Sequence, residues 1–286
     1  MNAEILVATN GYKKTWPGIE YAAWLAGVMR VPVTLIGIIE KKQVPSIDEE
    51  VHPLEEIFSR AVTLFEERKL DFRLEVREGA AEEVIPRKAR EKDFLTVITP
   101  LGRTPLRRML LRRSIHQLMA DIKGPILYVP SACIPPTHII ICLGGLGYGL
   151  SAENLGLEIA SHIDVPVTLL HVVPPIDLDY PEARTVRENW DHLVDTDTLL
   201  GRTLRSALDE AQKKDLHANL KLRQGIVVEE ILSELKQGDY DLVCMGSPYS
   251  AHGLRQFYAP NVTAEVAETV GCPVLTVRYQ PIEEQT

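Results

Sequence analysis

Asp241-Leu-Val-Cys-Met-Gly-Ser-Pro-Tyr-Ser-Ala-His-Gly253, with the residues that follow it, is the stretch that determines the fold. An apolar run ends at Gly246, a polar loop follows, and a helical pattern covers about 261–270. A second apolar run, Pro273 to Val277, closes the unit. The same order of strand, loop, helix and strand occurs earlier, from Asp93 to Pro130, so the chain is an internal duplication.

The two halves share their order of apolar runs and helical patterns from end to end. One begins with Ile5-Leu-Val-Ala-Thr-Asn-Gly11 and the other with Ile139-Ile-Ile-Cys-Leu-Gly-Gly145, and both continue to a Val-Pro-Val-Thr-Leu run. Continuous apolar runs are typical of strands that are covered on both faces, as in parallel α/β sheets. We therefore predict two repeated, doubly wound α/β domains, at 1–131 and 137–281, each with a five-stranded parallel sheet.

Composition restricts the classes of function. The chain has 286 residues, of which 45% are hydrophobic and 25% charged, so two domains of ordinary size can each bury a core. The net charge of -9 argues against a general nucleic-acid binder, which needs a basic face. The first apolar run begins almost at once and no run is long enough to span a membrane. We expect a cytoplasmic protein that contacts neither nucleic acid nor membrane.

The reactive side chains show no metal-binding or catalytic spacing. The sequence lacks CxxC, HxxxH and HExxH, so we expect no metal site, and without a GxSxG motif or paired carboxylates we expect no enzyme. Cys142 and Cys244 lie in apolar runs and are predicted to be buried hydrophobic residues. His171 lies in an apolar strand and is predicted to be a core residue.

Two local patterns predict irregularities. The offset between matching residues grows from 134 at Ile139 to 148 at Pro273, and most of the additional residues lie in the polar segment 177–198. We predict that this segment is an exposed and mobile surface loop or lid. Pro86 falls inside a helical pattern, which predicts a kink or a displaced helix start.

The chain resembles a tandem universal stress protein over nearly the whole of both halves. The motifs that carry the resemblance are Ile5-Leu-Val-Ala-Thr-Asn-Gly11, Leu169-Leu-His-Val-Val173, Asp241-Leu-Val-Cys-Met-Gly246 and Cys272-Pro-Val-Leu-Thr-Val-Arg278. The resemblance implies an adenine-nucleotide alpha-hydrolase-like, Rossmann-like fold and a stress-response protein that binds a small ligand or a partner. ATP or another adenine nucleotide is the first candidate ligand. A nucleotide hydrolase of the same sheet topology, and a structural module without a nucleotide site, remain alternatives.

Nucleotide-binding members of that family carry an acidic residue after the first strand, and Gly-x-x-Gly, a spacer and Gly-Ser or Gly-Thr after the fourth. Glycines let backbone N–H groups approach phosphate, and a helix N-terminus favours the anion. Half one has Asn10 for the acid and Thr99 for the first glycine, and half two has Pro260 where a glycine is expected. The candidate ligand-binding residues are Thr9, Asn10, Gly102, Arg103, Arg113 and Ser114 in half one, and Gly144, Gly246, Ser247, Gly253 and Asn261 in half two. Since proline removes a donor from the phosphate cradle, we expect any nucleotide to bind half one.

Three further features allow two interpretations each. A basic run is either a solvated helix face or an anion site that replaces the missing glycines: Arg103, Arg107, Arg108, Arg112 and Arg113. Gly145-Leu-Gly-Tyr-Gly149 suggests a dinucleotide motif, but its spacing does not match GxGxxG and favours a flexible turn. His252 lies in a polar loop, where either ligand contact or simple exposure explains it.

The final strand of each half, Pro125-Ile-Leu-Tyr-Val129 and Pro273-Val-Leu-Thr-Val277, is short and apolar. Single-domain members of the family pair through this strand, and an unpaired apolar edge promotes aggregation. The resemblance therefore implies an intramolecular pseudo-dimer in which these two strands pair, and it leaves open a homodimer.

Overall fold

A computed structural model describes residues 3–39, 54–99, 121–122, 124–144, 150–175, 181–247 and 262–278. The chain divides into two compact units, Met1–Pro135 with Gly271–Val274, and Pro136–Val270 with Leu275–Thr286. The names domain 1 and domain 2 denote the sequence repeats at 1–131 and 137–281.

Domain 1 alternates strands and helices. Its described elements are β1 (Ile5–Thr9), α1 (Trp16–Met29), β2 (Val33–Ile39), α2 (Leu54–Glu67), β3 (Phe72–Glu78), α3 (Ala81–Ala89), β4 (Thr96–Thr99) and β5 (Ile126–Tyr128). The strand order is β3-β2-β1-β4-β5, and each neighbouring pair is parallel. The order reverses between β1 and β4, which is where ligands bind in open parallel sheets.

Domain 2 repeats this architecture. Its described elements are β6 (Ile139–Cys142), α4 (Leu150–Ile163), β7 (Val167–Val173), α5 (Pro181–Glu188), α6 (Leu199–Lys213), β8 (Ala218–Gln224), α7 (Val227–Gln237), β9 (Leu242–Ser247), α8 (Val262–Thr269) and β10 (Val274–Arg278). The strand order is β8-β7-β6-β9-β10, and β6 is parallel to both β7 and β9. The predicted doubly wound α/β fold is confirmed.

The central strands are buried along their whole length, because helices cover both faces of each sheet. Every residue of β1 and every residue of β6 is buried. This burial explains why these runs are continuously apolar rather than alternating. By contrast, β3 and β8 have a mixture of half-buried and exposed residues, as expected near a sheet edge.

The two domains can be compared residue by residue. Strand β6 and helix α4 begin 134 residues after their counterparts β1 and α1, and the two helices have the same length. The strand β8 begins and ends 146 residues after β3, as Phe72 and Ala218 show. The strand registers agree, since Val33 lies opposite Phe72 and its counterpart Val167 lies opposite Ala218. These offsets identify structurally equivalent side chains in the two domains.

The polar segment 177–198 is not the continuous surface loop that its composition predicted. It contains α5 and a 3-10 turn at Leu193–Asp195, and the Leu193 side chain is fully buried. Arg205 donates to the carbonyl oxygens of Val194 and, at 2.8 Å, of Thr196. The backbone N–H of Gly201 donates to Thr198 Oγ1 at 3.0 Å and caps α6. The end of the segment is therefore anchored to α6 by contacts that composition cannot indicate.

The interior proline does not displace its helix. Helix α3 starts at Ala81, and Pro86 lies within it as a buried residue. Among the described residues, no helix combines the length and apolar character that crossing a membrane requires.

Candidate functional site

The turn after β1 forms the domain 1 side of the candidate site. Thr9 Oγ1 and Thr15 Oγ1 lie 2.6 Å apart, and the Thr15 hydroxyl donates to the carbonyl oxygen of Tyr12 at 2.7 Å. The Gly11 N–H lies 3.3 Å from Thr9 Oγ1, and Gly11 has a φ of 86°, which only glycine adopts readily. These bonds hold the predicted site residues Thr9 and Asn10 at the carboxyl end of β1.

Asn10 carries an unused acceptor at this position. Its Oδ1 atom is buried and has no hydrogen-bond partner among the described residues. Leaving a buried polar atom unsatisfied costs about 1–3 kcal/mol. A ligand with a hydroxyl or amino group could satisfy it, and such a donor is what a ribose or an adenine presents.

The equivalent position in domain 2 lacks that side chain. Gly144, which is 134 residues after Asn10, follows β6 and is half-buried. The backbone of Leu143, the residue before Gly144, is held by His171, whose Nδ1 lies 2.9 Å from the Leu143 carbonyl oxygen. Burial lowers the pKa of His171, which favours the neutral ring with Nδ1 as the donor. The prediction that His171 is a satisfied core residue is confirmed.

The carboxyl end of β9 holds two more predicted residues. Gly246 and Ser247 are the last residues of β9, and the Thr263 hydroxyl donates to the carbonyl oxygen of Gly246 at 3.2 Å. That carbonyl is therefore already engaged within the domain. Several predicted positions lie outside the described residues: Gly102, Arg103, Arg113, Ser114, Gly253, Asn261 and His252. The remaining arginines of the basic run and the glycine run 145–149 also lie outside them.

Sequence reasoning missed an ion-pair cluster between β3 and α3. Lys88 Nζ lies 2.7 Å from Glu75 Oε1 and 2.6 Å from Glu91 Oε2, and Arg77 Nη2 lies 3.0 Å from Glu75 Oε2. The hydrogen bond from Lys88 lowers the pKa of Glu75. Burial opposes the charge on Lys88, but hydrogen bonds to both carboxylates raise its pKa on balance. Both groups of the Glu75–Lys88 pair are therefore held in their charged forms.

Domain 2 has the same cluster between β8 and α7. Glu234 accepts from Lys221 Nζ at 2.6 Å, from Arg223 Nη1 at 2.9 Å and from the Tyr240 hydroxyl at 2.6 Å. Burial alone would raise the pKa of Glu234, yet these donors lower it. Arg223 Nε also lies 2.7 Å from Glu230 Oε2.

The two clusters have opposite polarity. Lys221 is 146 residues after Glu75, and Glu234 is 146 residues after Lys88, so acid and base are exchanged between strand and helix. Coulomb attraction is the same for either polarity, so the attraction alone permits the exchange. This exchange of acid and base becomes visible only when the strands and the helices of the two domains are aligned residue by residue.

Domain 2 also buries an acidic side chain. Glu153 in α4 is 4% exposed, whereas its counterpart in domain 1, Ile19, is fully buried and apolar. Burial, with a smaller contribution from Glu210, raises the pKa of Glu153 to about 7. Within the ranges that the structure describes, no group of histidine, cysteine, aspartate and glutamate residues could hold a metal ion.

Comparison with known proteins agrees with this architecture. The model of the universal stress protein family matches residues 1–130 and 136–278. A search of curated protein sequences found no match.

Solved structures of similar fold cover nearly the whole chain. A universal stress protein from Archaeoglobus fulgidus DSM 4304 has 12% identity and a TM-score of 0.69, covering 98% of each chain. A putative universal stress protein from Pseudomonas aeruginosa UCBPP-PA14 has 14% identity and a TM-score of 0.66, covering 96% of this chain and 92% of the other. A functionally unknown protein from Pseudomonas aeruginosa PAO1 has 13% identity and a TM-score of 0.65, covering 97% and 92%. The family model matches both repeats and the folds agree, so the chain belongs to the universal stress protein family.

Proposed function

We propose that the protein binds an adenine nucleotide in domain 1, at the carboxyl ends of β1 and β4, and acts as a nucleotide-responsive stress protein. The observation that carries the proposal is the buried Oδ1 atom of Asn10, which lacks a partner among the described residues. Parallel sheets bind ligands at this end, where the strand order reverses.

Domain 2 is the weaker candidate for the same ligand. Gly144 replaces Asn10 and offers no side-chain acceptor, and the carbonyl oxygen of Gly246 is engaged by Thr263. Its sequence also places Pro260 where the family pattern has a glycine, which removes a backbone donor. Both differences favour domain 1 as the nucleotide site.

The chemistry of Asn10 suits recognition of the nucleoside. An amide oxygen accepts a hydrogen bond from a ribose hydroxyl or from the adenine amino group. Because the amide is neutral, this bond is weaker than one to the acid of the family pattern. We assign the phosphate contacts to Gly102, Arg103, Arg113 and Ser114 on sequence grounds.

Calorimetric titration of the full chain with ATP tests the proposal. Asn10→Ala is expected to weaken binding about tenfold, which is the effect of losing one hydrogen bond of about 1.4 kcal/mol. The matched control is Gly144→Asn, which supplies the same amide in domain 2 and should leave the affinity unchanged. An affinity that responds to Gly144→Asn but not to Asn10→Ala would contradict the assignment to domain 1.

The same samples separate binding from turnover. We propose that the chain senses or sequesters the nucleotide, so ATP incubated with the protein should remain intact while it stays bound. Stoichiometric binding with steady ADP release would instead favour the nucleotide hydrolase.

A further inference from the structure

One edge of β3, called here its open side, pairs with no strand among the described residues. The strand β3 is the terminal strand in the order of domain 1, and among the described residues only β2 pairs with it. The Val33 N–H donates to the carbonyl oxygen of Asp71 at 2.9 Å, and the Gly79 N–H donates to that of Ile39 at 3.1 Å. Residues alternate in direction along a strand, so the odd-numbered residues of β3 point their peptide groups at β2. The even-numbered residues point theirs at the open side.

The side chains on this strand include exposed apolar residues beside charges of both signs. Leu74 is 38% exposed and Val76 is 50% exposed, and both lie on the same face of the sheet. Natural edge strands are usually blocked by charged side chains, a proline, a bulge or a covering element. The sequence of β3, FRLEVRE, alternates apolar residues with charges of both signs, so a second copy of the strand can meet these charges with opposite ones.

Two copies of β3 are complementary in one antiparallel register. A two-fold axis at Leu74 places this residue opposite its own copy, with outward-pointing peptide groups on both strands. The other residues then form complementary pairs on both faces: Phe72 with Val76, Arg73 with Glu75, and Asp71 with Arg77. Three residue pairs along the axis would make about six ladder hydrogen bonds.

Neighbouring registers are less favourable. An axis at Glu75 places this carboxylate opposite its own copy and Arg73 opposite Arg77. Like charges directly opposite each other destabilise a strand pair. An axis at Val76 keeps a pair between Glu75 and Arg77 but sets Leu74 opposite Glu78. Of these three registers, charge repulsion disfavours the axis at Glu75 and the apolar mismatch disfavours the axis at Val76, so the axis at Leu74 is the most complementary.

The equivalent edge of domain 2 lacks this complementarity. Its strand β8 carries Lys221 and Arg223 at the positions of Glu75 and Arg77, and Asn219 at the position of Arg73. An axis at Leu220 sets Asn219 opposite Lys221 and gives no pair of opposite charges. Charged side chains protect a strand edge, and those of β8 meet no opposite charge on a second copy. Domain 2 therefore provides matched control positions within the same chain.

We propose that the open edge of β3 is a homodimer interface, in which β3 pairs antiparallel with β3 of a second copy across an axis at Leu74. The second copy is the occupant because the strand complements itself in both charge and apolar pairing. The interface is independent of the nucleotide site.

Analytical ultracentrifugation of the full chain over a concentration series tests the interface. The wild type is expected to show a monomer–dimer equilibrium. Arg73→Glu would place a carboxylate opposite Glu75 of the second copy, and the two-fold axis repeats this repulsion on the other side of the interface. The dimer should therefore be weakened at least about tenfold. Asn219→Lys, at the equivalent position of β8, also adds a charge but places it opposite Lys221, so it should leave the equilibrium unchanged. A monomer at every concentration, or a dimer that is insensitive to Arg73→Glu, would overturn the proposal.

A cross-link tests the register. In a Cys133→Ser and Cys272→Ser background, Leu74→Cys should form an intermolecular disulfide, because directly opposite residues lie about 5.5 Å apart between Cα atoms. Val76→Cys should not, because its two copies lie four residues apart along the strand, about 14 Å. Leu220→Cys is the control in domain 2. Cross-linking at 76 or 220 as readily as at 74 would refute the register, and circular dichroism confirms that each variant is folded.

Discussion

The ion pair between β3 and α3 can be rebuilt with the polarity found in domain 2. Lys88→Glu alone places a third carboxylate beside Glu75 and Glu91, in a site where the Lys88 side chain is only 9% exposed. Adding Glu75→Lys and Glu91→Gln gives domain 1 the residues that domain 2 carries at 221, 234 and 237. We expect the single change to destabilise domain 1 and the triple change to recover most of the loss.

The magnitude follows from the contacts. Lys88 makes two charge-assisted hydrogen bonds, at 2.7 Å and 2.6 Å, to carboxylates that are 25% and 48% exposed. Such bonds contribute about 1.5–3 kcal/mol each when buried, and solvent screening of the exposed carboxylates reduces this. Lys88→Glu should therefore cost about 2–4 kcal/mol, or about 6–12 °C in the melting temperature of a domain of this size.

The triple variant should regain more than half of that free energy. Arg77 stands at the position of Arg223, which donates to Glu234 at 2.9 Å, so it can bind the new carboxylate at 88. The rescue remains incomplete because Phe94 stands at the position of Tyr240 and has no hydroxyl to donate. The missing hydrogen bond corresponds to about 1 kcal/mol.

Hydrogen exchange followed by mass spectrometry measures the effect domain by domain. Peptides from β3 and α3 should lose protection in Lys88→Glu and regain it in the triple variant, while peptides from β8 and α7 serve as the internal control. A triple variant that is as unstable as Lys88→Glu would refute the inference that the two polarities are interchangeable.

Three other measurements probe the packing. Because the pKa of buried Glu153 is raised to about 7 from 4.5, stability should fall by up to about 3 kcal/mol as pH rises through that range, and Glu153→Gln should abolish the dependence in thermal melts. Alkylation followed by mass spectrometry should label exposed Cys133 in the folded protein and Cys142 only on unfolding, since burial raises the pKa of Cys142 to about 12. Gly156→Ala should lower the free energy of unfolding by about 1–3 kcal/mol in chemical denaturation, because the added Cβ would lie 2.8 Å from the sulfur of buried Cys244. Gly27→Ala is the control and should not destabilise the protein, because the atom nearest to its added Cβ, a Leu70 methyl carbon, is 4.0 Å away.

The sequence predicts those parts of the fold that depend on local burial. Strands such as Ile5–Thr9 and Ile139–Cys142 are covered on both faces, so each residue is apolar and the run is visible without a structure. The anchoring around Leu193 depends on Arg205, which is distant in sequence, and a polar composition gives no indication of it. The pairing expected between the two final strands stays a prediction.

The candidate site was predicted only as far as the ends of strands could be located. Thr9 and Asn10 follow from the end of an apolar run, whereas the orphaned amide oxygen of Asn10 depends on how the turn buries it. The exchanged acid and base at 75 and 88, and at 221 and 234, require the registers of β3 with β2 and of β8 with β7. Glu153 was missed because its role as a buried acid is apparent only beside Ile19.

The reversed polarity of the two ion pairs also bears on how the chain folds correctly. A chain with two copies of one unit can misassemble by pairing a strand of one copy with a helix of the other. In such a hybrid, Glu75 would face Glu234 and Lys221 would face Lys88. Both hybrid pairs bring like charges together in a poorly solvated site. A strand of one domain therefore repels the helix of the other domain, whereas each native strand and helix attract each other. The reversed polarity of the ion pairs therefore disfavours misassembly between the two repeats during folding.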